Sequence, residues 1–577
     1  MSQKLRVWAP NAQEVSVVTA AQLRHTEREP GGFFSTEPLP AGVDYFLRLD
    51  GRDLPDPRSR FQPDGVAGPS RSVADDFEWH DQQFRAPPLC AALIYELHVG
   101  TFTRDGTLSA AIKRLDHLVE LGVTHVELMP LATFPGRWGW GYDGVALFAT
   151  HPAYGAPDDL KRFVAACHHR GLAVLIDVVY NHLGPDGNHL AEFGPYFTTR
   201  YQTPWGSAIN LDGPGSDEVR QFFIDNACAW IETYHVDGLR LDAVHALCDE
   251  SAEHFLHELT MRVHGLEAKL GKPLCVIAES DQNDPRLVRE PALGGFGIDA
   301  QWSDDFHHAL HAALTGEQSG YYGDFGSLEH IARALNQGFV FTGQYSPFRE
   351  RRHGRSLGDL SGNHLLGYLQ NHDQIGNRAR GERIGHLVSE GLVRIGAALV
   401  FVSPFVPMLF QGEEWGASTP FQYFTDHQNP ELAEAVRRGR RDEFKAFGWE
   451  PNEVPDPQEE ATFRRSQLDW SELERAPHRD LLAFYRSLAA LRRDHPDLRD
   501  GRRDSVQVEY DEHARWLRVT RGAITLLANL SKSRHELARP DGKLLLCHPK
   551  PPNTDSPQIL VEPESCYIFV AGETFGQ

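Results

Sequence analysis

Between about residue 90 and residue 495, short apolar runs alternate with segments whose apolar positions recur every three to four residues. The runs read as buried strands and the longer segments as amphipathic helices. The runs are "LIYELHV" (93–99), "HVELMPL", "LAVLIDVVYNH", "GLRLDAV", "LCVIAES", "GIDAQW", "LLGYLQNHD" and "FVPMLFQGEEW". Among the segments between them, "LSAAIKRLDHLVELG" sets Ile112, Leu115 and Val119 on one helical face and stops at Gly122. "APDDLKRFVAACHHRG" starts with Pro157 and two acids, gathers Leu160, Phe163, Val164 and Cys167 on one face, and ends at Gly171. "DEVRQFFIDNACAWIETYH" and "EGLVRIGAALVFV" are further helices. Repeated strand–helix units of this kind predict an α/β chain built on a (β/α)8 TIM barrel.

The flanks have a different period. Residues 1–86 alternate apolar and polar positions between Gly- and Pro-rich turns, which predicts an N-terminal β-sandwich, immunoglobulin-like domain. Within it, "LRVWAPNAQEVSVV" reads as a hairpin about Pro10–Asn11. Pro87–Pro88 marks a linker, and the catalytic barrel is expected over 87–502. Two insertions interrupt it: a short Gly/Pro/Asn-rich excursion at 183–215 after the third strand, and a charged stretch at 425–470 after the eighth. Residues 503–577 return to strand patterns ("SVQVEY", "WLRVTRG", "ITLLANL", "CYIFVAG") and predict a C-terminal antiparallel β domain.

Composition narrows the function. The 57 Lys and Arg against 80 Asp and Glu leave a formal charge of −23, the wrong sign for a protein whose main partner is nucleic acid. No apolar stretch has the length of a membrane span, and the N-terminus "MSQKLRVWAP" lacks a signal-peptide core. The seven cysteines are scattered, with no CxxC pair, so neither a disulfide framework nor a zinc site is expected and a reducing cytoplasm fits. A monomer is the default expectation.

Three acids end three of the apolar runs: Asp242, Glu279 and Asp373. One acid after a strand is usually a turn or helix cap, and Asp177 alone reads that way. Three in one parallel barrel converge where the strand C-termini open, which is where such barrels place their active sites. Clustered carboxyls without metal ligands suit glycosidic cleavage, in which one carboxyl protonates the leaving oxygen and another meets the anomeric carbon. The apolar run before Glu279 would raise its pKa and suit it to the acid role. Arg240, two positions before Asp242, shares its face of the strand and would keep Asp242 ionised as the nucleophile. Asp373, beside His372, would hold sugar hydroxyls. Trp138, Trp140 and Tyr142 alternate with glycines after the second strand and offer flat faces for sugar rings. "EAVRRGRRDEFK" reads as a solvated helix.

Four segments, "DVVYNH" (177–182), "GLRLDAVH" (238–245), "AES" (278–280) and "NHDQ" (371–374), together resemble the motif regions of the alpha-amylase superfamily of glycoside hydrolases. The resemblance covers about 90–495. It implies Asp242 as nucleophile, Glu279 as acid/base and Asp373 as the transition-state carboxylate. It also implies that Arg240, His182 and His372 contact the cleaved sugar, that Tyr142 stacks on it, and that His245 meets the leaving side. Trp140 and Asp143 are further substrate-binding candidates. An N-terminal domain opening with "VWAP" is similar to branching, debranching and trehalose-releasing members. Asp143 in "WGYDGV" departs from the Gln of branching enzymes. "NHLGPDGNHL", "ESDQNDPRLV", "DAQWSDDFHHALH", "LFQGEEW" and "PFQYFTDH" are similar to trehalose-releasing members, which act on maltooligosyltrehalose. The resemblance implies an oligosaccharide substrate. No cofactor is expected, and no structural calcium, because the strand-three insertion lacks an Asp/Asn-rich run. A glucan branching enzyme and a catalytically silent glycan-binding barrel are the alternatives. Strand-end position alone adds Asp281, Trp302 and Glu413 as candidates for the trehalose end.

Overall fold

The computed structural model of the protein describes residues 4–445, 453–553 and 556–572. Residues 446–452 of the charged 425–470 insertion lie outside them. At the centre is a closed barrel of β1 (Ile94–Leu97), β2 (His125–Leu128), β3 (Ala173–Val178), β4 (Gly238–Leu241), β5 (Cys275–Ala278), β6 (Ala300–Trp302), β7 (Leu365–Tyr368) and β8 (Val406–Phe410). Successive strands pair in parallel and β8 closes on β1. Each strand falls inside one of the eight apolar runs. Their residues are buried on both faces, which explains near-continuous apolar runs in place of alternation.

The helices pack outside. Pro157–His169 begins with Pro157 at its first turn and buries Leu160, Phe163, Val164 and Cys167 as its periodicity predicts. Full burial of each such side chain contributes roughly 1.5–3 kcal/mol. The segment after β1 differs from expectation. It breaks into Leu108–Ile112 and Leu115–Leu121, and Val119 is 42% exposed. Leu115, Leu118 and Leu121 carry the buried face instead, because the break after Ile112 rotates the second helix relative to the first. Gly122 ends it at φ 96, left-handed backbone that glycine adopts without strain.

The N-terminal region holds two antiparallel sheets. Leu5–Trp8 pairs with Phe33–Thr36, whereas Val15–Thr19 pairs with Leu23–His25 and Asp44–Leu49. The expected hairpin about Pro10–Asn11 is therefore a crossing between sheets. That crossing lets Val7, Val15 and Val17 all bury their side chains in one core. Trp8 meets Tyr196 of the excursion after β3 edge-on at 5.6 Å, and Arg58 pairs with Asp225 of the next helix at 2.8 Å. That excursion contains the short helix Leu190–Phe193 and the hairpin Phe197–Thr203/Gly206–Ile209.

After the barrel, strands form a five-stranded antiparallel sheet and a two-stranded one. Three of them, His535–Ala538, Lys543–His548 and Gln558–Val561, lie outside the four runs read as strands from the sequence. Among the described residues no helix is long and apolar enough to cross a membrane.

Candidate active site

The strand ends of β1, β3, β4, β5 and β7 deliver one connected polar network. Its hub is Arg240, which points inward from β4 and is fully buried over the Trp302 ring at 4.3 Å. Parallel pairing puts Arg240 in register with Asp177 on β3. Nη1 of Arg240 donates to Asp177 Oδ2 at 2.6 Å and to Asp242 Oδ1 at 2.9 Å. Nη2 forms an ion pair with Glu279 Oε2 at 2.8 Å. One guanidinium therefore holds three carboxyls from three adjacent strand ends.

Glu279 Oε2 also accepts the backbone N–H of Ala243 at 2.8 Å. Ala243 can aim that N–H because its backbone is left-handed (φ 37, ψ 52), an uncommon state for a residue with a side chain. Among the described residues no group hydrogen-bonds the second oxygen of either Asp242 or Glu279, and neither oxygen is enclosed. Each carboxyl is thus anchored by one oxygen and open at the other.

A second chain of bonds starts at β1. Glu96 accepts the backbone N–H of His372 at 3.0 Å through Oε2, and its Oε1 takes a short hydrogen bond from Nδ1 of the same residue. His372 Nε2 lies 2.9 Å from the hydroxyl of Tyr142, which itself donates to Asp177 Oδ2 at 2.6 Å. With its own proton committed to Asp177, the hydroxyl accepts from His372, and both ring nitrogens of His372 then carry protons. The carboxylate of Glu96 outweighs burial and lifts the His372 pKa to about 9, which agrees with that assignment. Asp373 follows in the first turn of His372–Gly376, its Oδ1 accepting from Asn377 at 2.6 Å.

Burial raises the pKa of Glu279, and the charge of Asp242 adds to it, while Arg240 pulls the other way. Asp242, Asp177 and Asp373 are also raised, chiefly by burial, with Arg240 or His372 opposing. The physical cause is common to all: several carboxyls share two cations in a poorly hydrated space. Such a set titrates as a coupled group, in which full ionisation is disfavoured.

The other expected residues lie around this core. His182 is buried, its pKa lowered by burial, and its ring stacks on Trp205 at 4.8 Å. Asp143 is half-buried, with His427 at 3.8 Å. His245 is exposed in the single turn that follows Asp242. Trp140 is enclosed: its N–H is given to the Gln422 carbonyl, Phe421 stacks on it, and its ring fills the space a side chain on Gly376 would need. It stands behind His372, 5.5 Å between centroids. Trp302 and Glu413 are also enclosed, Glu413 accepting from Tyr485 at 3.1 Å. Asp281 stays partly open and pairs with Arg349 at 2.7 Å.

Two network members, Asp177 and Glu96, and one buried acid beside them, Glu127, were not singled out as site residues from the sequence. Asp177 is a partner of Arg240, and its signal was in the "DVVYNH" motif. Glu96 and Glu127 are acids inside apolar runs, a costly placement that calls for explanation. They face each other across β1 and β2. Glu127 Oε2 has no partner among the described residues, and burial drives its pKa well up, with Glu96 adding to the shift. Among the described residues no group of three or more His, Cys, Asp or Glu side chains is arranged to hold a metal ion.

Comparison with known proteins places the chain in a family. The family model "Alpha amylase, catalytic domain" matches residues 72–202, and a domain of unknown function (DUF3459) matches 501–568. The fold and its matches define an alpha-amylase-type glycoside hydrolase. The malto-oligosyltrehalose trehalohydrolase of Arthrobacter ramosus is 54% identical over 86% of this chain and 88% of its own. That of Rhizobium sp. (strain M-11) is 46% identical over 98% of this chain and 97% of its own. The crystal structure of a Salmonella typhimurium protein, 36% identical, superposes with a TM-score of 0.91 over 99% of this chain and 97% of the other. The chain belongs to the malto-oligosyltrehalose trehalohydrolase family.

Proposed function

We propose that the protein hydrolyses the α-1,4-glucosidic bond next to the terminal trehalose of maltooligosyltrehalose. It releases trehalose and a maltooligosaccharide with retained anomeric configuration. The observation that carries the mechanism is the Arg240 bridge between Asp242 and Glu279. One guanidinium spanning both carboxyls supports the close spacing of a retaining pair, about 5–5.5 Å, which leaves no room for a water between acid and nucleophile.

Because Oε2 of Glu279 accepts from Ala243 and is ion-paired with Arg240, the Glu279 proton sits on Oε1, the open oxygen. Oε1 delivers that proton to the glycosidic oxygen as the C–O bond breaks and trehalose leaves. Oδ2 of Asp242 attacks the anomeric carbon and forms a glycosyl ester, while Oδ1 stays on Arg240. Glu279, now ionised, takes a proton from water, whose oxygen displaces Asp242 and restores both carboxyls. Asp373 and the His372 imidazolium hold ring hydroxyls and position the sugar. Tyr142 supplies the stacking face, and Trp140 backs His372 from behind. His182 and Asp143 line the retained side, and His245 the leaving side.

A product assay tests the reading. Maltotriosyltrehalose and maltopentaose are incubated separately and the sugars resolved by chromatography. Rapid trehalose and maltotriose from the first, with slow cleavage of the second, is expected. Equal cleavage of both, or rearranged longer chains, overturns the trehalose-specific assignment.

A further inference from the structure

The helix Pro430–Lys445, in the charged insertion after β8, is not solvated all round as its sequence predicts. Arg438 and Arg441 are exposed, but the Arg440 side chain is only 10% exposed and reaches the barrel mouth. Its guanidinium lies over the Tyr423 ring at 5.2 Å. Nη1 donates to Asn377 Oδ1 at 3.3 Å and to Glu443 Oε2 at 3.2 Å. Nη2 donates to the carbonyl of Gly376 in a short bond and to that of Arg378 at 3.5 Å. Gly376 and Asn377 end the turn that carries His372 and Asp373. The planar fork of an arginine serves the side chain and the backbone at once, which a point-like ammonium does not.

Asp373 depends on this contact in a way that the other two carboxyls do not. Arg240 holds Asp242 and Glu279 directly. Among the described residues, by contrast, Asn377 alone hydrogen-bonds the Asp373 carboxyl, its Nδ2 donating to Oδ1 at 2.6 Å. Asn377 is exposed, and a free amide there rotates and presents either end to its neighbours. A guanidinium has donors and no acceptor, so Arg440 takes the amide oxygen and leaves Nδ2 for Asp373. The turn itself is fixed at the same place, since Gly376 meets the Trp140 ring with its Cα and Arg440 with its carbonyl.

We propose that Arg440 is a positioning residue for glycosidic cleavage: through Asn377 it fixes the Asp373 carboxylate at the mouth. The proposal rests on the reading of Asp373 as a group that holds the ring hydroxyls of the cleaved sugar. The test is steady-state kinetics of the full chain on maltotriosyltrehalose and on maltopentaose, with melting temperatures alongside. Arg440→Met and Asn377→Ala are each expected to lower kcat about ten-fold, the value of one hydrogen bond to a charged group. KM is expected to stay within about two-fold, because the interaction matters in the transition state. The double variant should lose no more than Arg440→Met alone, since the two residues act in series. Arg437→Gln is the control for a loosened helix: it breaks the pair with Asp456 at 2.8 Å, and kcat should hold even where the melting temperature falls. Multiplied losses in the double variant, a full kcat in Arg440→Met, or an equal loss of kcat in Arg437→Gln overturns the proposal. Failure of the underlying reading shows differently, as full turnover by Asp373→Asn, which would overturn both. Trehalose specificity is read separately in the product assay, because each kcat ratio holds for whichever glucan is cleaved.

Discussion

The backbone N–H of Ala243 lies 2.8 Å from Oε2 of Glu279, and it reaches there only because Ala243 is left-handed at φ 37. The residue that follows Asp242 in the chain therefore sets the orientation of Glu279. Strain at such a position costs on the order of 1–3 kcal/mol and persists when surroundings enforce it. Ala243→Gly is expected to retain activity and stability, since glycine adopts this conformation freely. Ala243→Val is expected to lose about 1–3 kcal/mol and to lower kcat more than it raises KM. Thermal unfolding with steady-state kinetics checks both, and a fully active, fully stable Val variant sinks the argument.

The separate roles proposed for Asp242 and Glu279 can be told apart with azide. Glu279→Gln is expected to lower kcat by about 10²–10⁴-fold, and Asp242→Asn at least as much, with folding intact. Given azide and an activated glucosyl substrate, Glu279→Ala should yield a glucosyl azide of retained configuration. Asp242→Ala should yield the inverted one. Identical anomers from both variants contradict the assignment.

Glu96 makes a prediction for pH. His372 is raised from 6.5 to about 9 in the folded chain. A raised base stabilises the fold fully below its unfolded pKa and loses that contribution as pH rises through about 9. Glu96→Gln removes the partner charge, so the variant should be destabilised at pH 6 to 7. Its melting temperature should fall less between pH 6.5 and 9 than that of the unaltered protein. Parallel melting curves across that range count against the Glu96–His372 pair as the cause.

Glu127 tests the opposite case. Its carboxyl is pushed well above the usual range by burial and by Glu96, which favours the neutral form. Glutamine mimics that neutral form, and Glu127→Gln is expected to change stability by under about 0.5 kcal/mol and to keep most activity. Glu127→Lys buries a second cation in the barrel that already encloses Arg240 and is expected to cost more than about 3 kcal/mol. A Gln variant as damaged as the Lys variant means Glu127 is ionised.

The chain by itself determined the barrel, because buried parallel strands and amphipathic helices leave their periods in the order of apolar positions. It also determined Asp242, Glu279 and Asp373 as a group, since each ends an apolar run where a charge is unfavourable unless used. It carried the link from Arg240 to Asp242, because two residues two apart on a strand share a face. Only the tertiary structure decided the rest of the network. Glu96 and His372 are 276 positions apart, and they meet because β8 closes on β1 and brings the ends of β1 and β7 to one mouth. Asp177 looked like a helix cap until parallel register set it opposite Arg240. Trp140 lies behind the mouth and Tyr142 in it, though both stand in one glycine-rich loop. The direction of a loop side chain depends on what packs against it, here Phe421 and the bare backbone of Gly376. The N-terminal crossing between sheets was hidden for the same reason: alternation marks strands but carries no information about which strand lies beside which.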